Sequence, residues 1–249
     1  METFDIIIIG AGMAGASVAA EVSGAARVLL LEREEQPGFH STGRSAAAFI
    51  PSYGCDNPSL RLLTNHSLSF LQEPPENFRI PTLLHPRGLL TLCPPGQESL
   101  AEAELERLQQ TIPGIVRADS DFIREKIPLI RDEYLAAGSY EPDVFDMDVH
   151  ALHEGYLRTF RHHGGRLVNR ANITGLERSG DVWRVETPEA SYSAPLLVNA
   201  AGAWADEIAA LAGISAIGLT PLRRTAVLLD PPAGCDVSGL SLIHISEPT

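Results

Sequence analysis

Apolar residues near the start of the chain fall into two short runs with a glycine-rich segment between them. Residues 4–9 are mostly β-branched, which predicts a strand buried on both faces of a parallel sheet. Small and apolar residues over 13–23 predict a helix packed on that strand, and residues 27–31 predict a second buried strand. The start of the chain therefore predicts one βαβ unit.

Shorter elements of both kinds are predicted in the middle of the chain. Amphipathic or capped segments predict helices over 60–71, 98–110 and 119–126. Prolines bound two short predicted strands on either side of Pro86-Arg87-Gly88. A longer helix is predicted to follow, with Asp148 as its N-cap residue.

Alternating polar and apolar positions return after Gly164-Gly165, the predicted end of that helix. They predict a run of strands with a hairpin turn at Ser179-Gly180-Asp181 and a buried strand over 194–200. The order β-α-β, mixed insertion, helix and strand favours one sheet interrupted by a second domain. The predicted fold class is therefore α/β.

Composition and charge restrict the class of protein. The chain has 249 residues, of which 44% are hydrophobic, so it can form one large domain or two small ones. A formal net charge of −13 argues against nucleic acid and anionic membranes as partners. The apolar run over 6–20 is shorter than the roughly 20 residues of a membrane-spanning helix. Three widely spaced cysteines indicate neither a zinc site nor disulfides, and we expect a cytoplasmic protein.

A dinucleotide-binding motif lies between the first predicted strand and helix. Gly10-Ala11-Gly12-Met13-Ala14-Gly15 has the spacing G-x-G-x-x-G, and Glu32 ends the next strand. Gly10 would make the tight turn, Gly12 would let a pyrophosphate approach the backbone, and Gly15 would let helix and strand pack closely. Phosphates would then meet the free N–H groups of the helix N-terminus, and Glu32 would accept hydrogen bonds from the adenosine ribose.

The residues around Glu32 narrow the choice of dinucleotide. Its charge argues against a 2′-phosphate and hence against NADP, although Arg33 stands beside it. The following loop, "QPGFHSTGRSAAAF", is rich in small residues and suits a large, extended cofactor, which favours FAD over NAD. Ser41, Thr42 and Ser45 could donate to phosphate or ribityl oxygens. A solvated loop leading into an alanine-rich helix is the alternative interpretation.

Four segments carry a family resemblance: "DIIIIGAGMAGASVA", "LLLEREEQPGFHSTGRSAA", "DVHALHEGYLR" and "LLVNAAGAWADEIAALAG". Together they resemble the D-amino acid oxidase superfamily of FAD-dependent oxidoreductases, and most closely its D-arginine dehydrogenase-like members. The resemblance implies a Rossmann-like FAD-binding domain with an inserted β-rich (α+β) substrate domain. It also implies oxidation of the C–N bond of a D-amino acid or amine, giving an imine that hydrolyses to a keto acid and ammonia.

The resemblance also implies domain boundaries. The FAD-binding domain would comprise residues 1–80 and 147–213, and an incomplete substrate domain would comprise 81–146 and 214–240. The family continues well beyond residue 249, so we expect the C-terminal third to be missing from this chain. Residues 241–249 resemble read-through of a sequencing adapter, and we expect them to be a non-native tail.

Site residues follow from the resemblance, position by position. The loop from His40 to Ala48 would line the pyrophosphate and flavin ring of non-covalently bound FAD, and Ile173 would contact the adenine through its backbone. Tyr53 and Arg224 would face the substrate, with Arg224 pairing with an α-carboxylate. With the motif residues, the expected FAD contacts are Gly10, Gly12, Met13, Ala14, Gly15, Glu32, Arg33, His40, Ser41, Thr42, Arg44, Ser45, Ala46, Ala47, Ala48, Ile173, Ala201 and Gly202.

Two positions depart from the D-arginine dehydrogenase pattern. Ala48 stands where those proteins carry a histidine, and Leu89 stands at or near the position of a glutamate for the substrate guanidinium. A neutral or apolar substrate is therefore expected, with the electron acceptor left open. Two alternatives remain: oxidation of a 2-hydroxy acid, and a flavin-binding subunit without turnover.

Other groupings carry less weight. His150, His153 and Glu154 have a spacing that could hold a metal, but no third or fourth ligand is evident, so we interpret them as a polar helix face. Trp183 and Trp204 are interpreted as core residues.

Overall fold

The computed structural model describes residues 1–93, 95–134, 137–223, 225, 230 and 233–234. The strands are β1 Glu2–Thr3, β2 Ile6–Ile9, β3 Val28–Leu31, β4 Ala48–Phe49, β5 Leu84–Pro86, β6 Leu89–Cys93, β7 Val116–Ala118, β8 Ala137–Glu141, β9 Phe145–Met147, β10 Arg166–Val168, β11 Gly175–Ser179, β12 Val182–Glu186, β13 Ser191–Ala194 and β14 Leu196–Asn199. The helices are α1 Met13–Val22, α2 Pro58–Gln72, α3 Glu98–Gln109, α4 Ser120–Lys126, α5 Val149–His162 and α6 Ala205–Leu211. Within these described ranges, no helix combines the length and hydropathy needed to cross a bilayer.

Two compact units share these elements. The first comprises Met1–Ser45, Pro75–Ile80 and the described residues from Val149 to Thr225. The second comprises Ala46–Pro74 and Pro81–Asp148. The first unit contains a parallel sheet of order β10-β3-β2-β14 and a second sheet of order β1-β13-β12-β11. The predicted α/β class is thus confirmed, with β2 at an inner position of the parallel sheet.

The inner strands β2 and β3 are buried on both faces because their side chains alternate between two hydrophobic cores, whereas the edge strand β14, predicted to be buried, is exposed or half-buried. One core joins the parallel sheet to the second sheet and contains Ile7, Ile9, Leu29, Leu31, Val185 and Tyr192. The other joins it to α1 and α5 and contains Ile8, Leu30, Ala16, Ala19, Leu157 and Phe160. This arrangement explains why the strands are continuous apolar runs in the sequence. Each buried Leu or Ile side chain stabilises the unit by about 1.5–3 kcal/mol.

The observed elements agree with the predicted βαβ unit to within two residues at each end. α1 begins at Met13, as predicted, and ends at Val22 rather than Ser23. β2 begins at Ile6 rather than Phe4, because the N–H of Phe4 donates to the carbonyl oxygen of Ser193 in the second sheet at 2.9 Å. Ile6, by contrast, pairs with Val28 and Leu196 in the parallel sheet.

The second unit contains two three-stranded antiparallel sheets, of order β4-β9-β5 and β6-β8-β7. Two of its helices, α2 and α4, are capped by side chains. The amide oxygen of Asn57 accepts the N–H of Leu60 at the start of α2, and Asp119 accepts the N–H of Phe122 at the start of α4.

Residues 46–74 were placed in the FAD-binding domain by the sequence resemblance, whereas the structure groups them with the second unit. Two contacts account for this grouping. β4 pairs with β9, and the N–H of Leu83 donates to the carbonyl oxygen of Leu71 at the end of α2. Both partners belong to the second unit, so the chain enters that unit directly after Ser45.

Candidate functional site

A cavity of about 330 Å³ lies in the first unit, where the parallel strands end. Its walls include Ile9 at the end of β2, Leu31 at the end of β3 and Ala200 just after β14. In open α/β sheets this edge is the usual position of ligand sites, because the loops that leave the strands surround it.

The glycine motif forms one wall of the cavity and fits only because its glycines lack side chains. Gly10 has a φ of +99°, and a Cβ there would lie 2.4 Å from the carbonyl oxygen of Ala200. A Cβ at Gly15 would lie 1.8 Å from the carbonyl oxygen of Gly10. The tight turn and the close packing of helix on strand therefore both require glycine.

Gly12 stands at a different position, facing open space. It is the N-cap residue of α1, and a Cβ there would find Thr42 Oγ1 as its nearest neighbour, at 3.4 Å. The Thr42 hydroxyl accepts the backbone N–H of Met13 at 3.0 Å and thereby joins the following loop to the helix N-terminus. Gly12 itself has no side chain, and the N-terminus of α1 borders the cavity, so the partial positive charge of the helix end lies beside it.

Glu32 supplies the acidic wall of the cavity and is 9% exposed. One carboxylate oxygen accepts the N–H of Ala11 at 2.8 Å, and the other accepts the N–H of Glu34 at 2.9 Å. Each carboxylate oxygen can accept a further hydrogen bond, so Glu32 remains able to receive a ligand hydroxyl. Its two backbone partners fix the orientation of the carboxylate.

A cluster of charged and aromatic side chains lies beside Glu32. Glu34 Oε1 binds the Arg33 guanidinium at 3.0 Å and lies 2.8 Å from His40 Nε2. Hydrogen bonds from His40 and then Arg33 lower the pKa of the Glu34 carboxyl. The Arg33 guanidinium also lies 4.2 Å from the centre of the Trp204 ring. The centre of the His40 ring lies 4.6 Å from the centre of the Trp204 ring.

Trp204 is a functional candidate that the sequence reasoning missed. It was interpreted as a core residue, but it is half-buried and lines the cavity just beyond the end of β14. Trp183 is also half-buried, and it lines a different depression beside β14 and α6. The position of Trp204 directly after the last parallel strand is the signal that could have identified it.

His153 is a second residue that was misjudged. It was assigned to a polar helix face, yet it is 4% exposed, and its Nε2 lies 2.9 Å from the carbonyl oxygen of Ala11. Burial lowers the pKa of its imidazole. The spacing of His153, Leu157 and Phe160 matches one helix face, which could have revealed its burial. Among the described residues, no group of three or more His, Cys, Asp or Glu side chains could hold a metal.

The predicted FAD contacts divide into three groups. The structure brings one group together around the cavity: Gly10, Gly12, Met13, Ala14, Glu32, Arg33, His40, Ser41, Thr42, Ile173, Ala201 and Gly202. Gly15 packs behind the motif, while Arg44 and Ser45 are exposed residues of the first unit that follow its wall. Ala46, Ala47 and Ala48 belong to the second unit.

The predicted substrate residues have separate locations. Tyr53 belongs to the second unit, is 60% exposed, and lies in a turn held by its N–H bond to the carbonyl oxygen of Ile50. Arg224 lies outside the described residues, as do residues 241–249. Their predicted roles stay predictions.

The second unit holds a buried carboxylate that the sequence reasoning did not consider. Glu141 is 4% exposed and stands directly opposite Leu89 in the β6–β8 ladder. It accepts the backbone N–H of Ser52 at 3.0 Å and the Ser52 hydroxyl at 2.6 Å. Burial raises its pKa, and the nearby Asp143 adds to the effect.

Comparisons with known proteins agree with this geometry. Human mitochondrial dimethylglycine dehydrogenase is 28% identical over 217 residues, covering 84% of this chain and 24% of that protein. L-2-hydroxyglutarate dehydrogenase of Indibacter alkaliphilus is 25% identical over 215 residues, covering 83% of this chain and 52% of that protein. Glycine oxidase from Geobacillus kaustophilus has a similar structure, with a TM-score of 0.74 at 21% identity, covering 86% of this chain and 60% of that one.

The chain therefore spans between about a quarter and three fifths of the length of these proteins. The expected likeness to D-arginine dehydrogenases in particular stays a prediction. A family model described as FAD dependent oxidoreductase matches residues 5–245, which is nearly the whole chain. The chain belongs to this FAD-dependent oxidoreductase (DAO) family, whose cofactor is FAD.

Proposed function

We propose that the cavity of the first unit holds the adenosine diphosphate part of FAD. The observation that carries this proposal is the wall formed by Gly12 and the N-terminus of α1, where the lack of a side chain at Gly12 leaves room beside the backbone. A pyrophosphate fits such a wall, because N–H groups and the helix dipole stabilise negative charge. Glu32, at the end of the neighbouring strand, would bind the ribose hydroxyls.

Further contacts would come from both sides of the cavity. Trp204 and Ile173 offer apolar surface to the adenine, and Ser41 offers a hydroxyl to the phosphates. Arg33 is already bound to Glu34, so it adds positive charge near Glu32 without being free to bind a 2′-phosphate. This arrangement supports FAD rather than a phosphorylated nicotinamide cofactor.

The proposed reaction is oxidation of the C–N bond of a neutral D-amino acid or amine. Bound FAD would supply the acceptor for a hydride from the α-carbon of the substrate, and the imine of an amino acid would hydrolyse in water to a keto acid and ammonia. The names of two similar proteins, dimethylglycine dehydrogenase and glycine oxidase, support an amine or amino-acid substrate. Arg224 would hold the substrate carboxylate, and Tyr53 would face the substrate.

A second candidate function is oxidation of a 2-hydroxy acid. It is favoured by the similarity to L-2-hydroxyglutarate dehydrogenase, and Arg224 would bind the carboxylate of such a substrate equally well. The hydroxyl proton would then need a general base, which neutral amines do not require.

The experiment is an anaerobic titration of the purified full-length protein followed by its visible spectrum. D-leucine or D-methionine should bleach the flavin band, and a 2-hydroxy acid should not. Bleaching by 2-hydroxy acids alone would establish the second function. If no substrate of either class reduced the flavin, the protein would be a flavin-binding subunit without turnover.

Acid precipitation should release the yellow cofactor into the supernatant, because we expect no covalent link between FAD and the protein.

A further inference from the structure

His153 holds the glycine motif from behind the cavity wall. It lies on α5, and its Nε2 is 2.9 Å from the carbonyl oxygen of Ala11, the residue between Gly10 and Gly12. A carbonyl oxygen can only accept a hydrogen bond, so Nε2 must carry the proton. His153 is not among the residues that line the cavity, and a ligand there would not touch it.

The same imidazole packs against the loop that follows Glu32. A Cβ at Gly38 would lie 3.0 Å from Cε1 and 3.2 Å from Nδ1 of His153. Gly38 in turn accepts the N–H of Gly43 at 2.7 Å, within the loop that carries Ser41 and Thr42 to the cavity. One buried side chain therefore supports two of the segments that form the cavity walls.

Both polar groups of Ala11 have fixed partners. Its N–H donates to Glu32 Oε2 at 2.8 Å, and its carbonyl oxygen accepts from His153. Because the Ala11 carbonyl oxygen is held on the α5 side, the peptide group between Ala11 and Gly12 does not direct its carbonyl dipole at the cavity. An anion that approaches Gly12 would otherwise be repelled by such an oxygen.

We propose that His153 is a positioning residue for the bound dinucleotide, which it serves by fixing the Ala11 carbonyl and, through Ala11, the Glu32 carboxylate. The proposal rests on the proposed binding of FAD in this cavity. The charges of Glu154 and His150 on α5, and of Glu32 at the end of β3, act on the imidazole through their electrostatic fields. The hydrogen bond needs only the Nε2 proton, which both the neutral and the protonated imidazole can supply.

Substitutions in the full chain separate this role from simple filling of space. Glutamine can bring its amide N–H close to the position of Nε2, whereas leucine fills the space without a donor, and asparagine is too short to reach Ala11. His150→Leu is the matched control, because His150 is exposed on the same helix. FAD affinity would be measured by titrating apoprotein with FAD, and the stability of each apoprotein by its Tm.

We expect His153→Leu and His153→Asn to weaken FAD binding by about 10- to 100-fold, since a buried carbonyl loses its donor. His153→Gln should stay within about threefold of the wild type, and His150→Leu should match it. Equal FAD affinity of His153→Asn and His153→Gln would overturn the proposal, even if His153→Leu fails to fold. If wild-type apoprotein binds no FAD, the proposed function falls as well; if it binds FAD equally with all variants, only the role of His153 is wrong.

Discussion

Trp204 offers an aromatic ring to the cavity beside Glu32 and Arg33. Its ring contacts the Arg33 guanidinium and lies near the His40 ring, while Glu34 binds both of these residues. The ring is thereby held by charged neighbours at the cavity wall rather than by a hydrophobic core. A residue in such a place can stack on a planar ligand without first being ordered by it.

Replacing Trp204 by alanine should weaken FAD binding because the adenine loses an aromatic surface. We expect a loss of about 0.5–1.5 kcal/mol, roughly 2- to 10-fold in Kd. Trp183→Ala is the control, since Trp183 lines a different depression. Isothermal titration with FAD provides the measurement, and an unchanged Kd for Trp204→Ala would show that the adenine does not lie against this ring.

At the scale of single residues, the sequence was informative where chemistry and spacing coincide. Gly10, Gly12, Gly15 and Glu32 could be assigned because each has one position in the β-α-β pattern. His153 and Trp204 could not, because a single histidine or tryptophan is compatible with core, surface or site. Their roles depend on contacts with Ala11 and Arg33, which are distant in sequence.

Among the elements, the β6–β8 ladder changes the interpretation of substrate charge. Because Leu89 replaces a glutamate, no carboxylate was expected near this position. The structure nevertheless has Glu141 directly opposite Leu89, and cross-strand partners project to the same face of the sheet. The Glu141 carboxylate is buried and bound by Ser52. It therefore anchors the turn that carries Tyr53 rather than presenting a free charge.

The raised pKa of Glu141 predicts how stability depends on pH. The folded state binds the proton more tightly than the unfolded state, whose pKa is near 4.5, so the stability that Glu141 contributes falls as pH rises above that value. Glu141→Gln stays neutral; its amide oxygen can accept the Ser52 N–H, and its amide N–H can donate to the Ser52 hydroxyl oxygen. We expect its Tm, relative to the wild type, to be higher at pH 8 than at pH 4.5.

Glu141→Leu is the matched comparison, because leucine fills the space but leaves the Ser52 N–H and hydroxyl without their acceptor. It should lower stability by about 1–3 kcal/mol relative to Glu141→Gln. Thermal unfolding of the wild type, Glu141→Gln and Glu141→Leu at pH 4.5 and pH 8 provides the measurement of both effects. If the Tm of Glu141→Gln fell relative to that of the wild type as pH rises, the Glu141 carboxylate would be charged and favourably paired in the folded state.

The predictability of the elements follows from their length and burial. β2, β3 and α1 were predictable because long apolar runs or small-residue helices leave few alternatives. β4 has two residues and β9 has three, which is too short for any periodic pattern. These strands exist because Ala48–Phe49 and Phe145–Met147 pair across a large separation in sequence, and this pairing assigns residues 46–74 to the second unit.

For the molecule as a whole, the charges around Leu89 predict the charge of the preferred substrate. Leu89 carries no charge and the Glu141 carboxylate is already bound, so a buried guanidinium would lack a free partner. We therefore expect D-leucine and D-methionine to be preferred over D-arginine by about 1–3 kcal/mol in transition-state binding, roughly 10- to 150-fold in kcat/KM.

Steady-state kinetics with the three amino acids on the full-length protein provide this measurement. A clear preference for D-arginine would contradict the interpretation of Leu89. Kinetics of Glu141→Gln would then show whether Glu141 supplies the charge. The preference for D-arginine should disappear in this variant only if Glu141 forms a direct ion pair with the substrate guanidinium.

FAD is proposed to lie against the glycine motif in the cavity of the first unit. Gly12→Val tests this position, because the φ of Gly12 is −75° and a Cβ there would lie 3.4 Å from its nearest neighbour, Thr42 Oγ1, so the apoprotein has room for a Cβ. Gly24→Val is the control, in the turn after α1, where a Cβ would meet His163 at 3.6 Å.

The measurement is a titration of each apoprotein with FAD. We predict tight binding by the wild type and Gly24→Val, and a loss of at least about 100-fold in affinity for Gly12→Val at an unchanged apoprotein Tm, because the branched side chain occupies the space of the pyrophosphate. If a folded Gly12→Val protein bound FAD with wild-type affinity, the pyrophosphate could not lie against Gly12, and the cofactor would have to bind elsewhere.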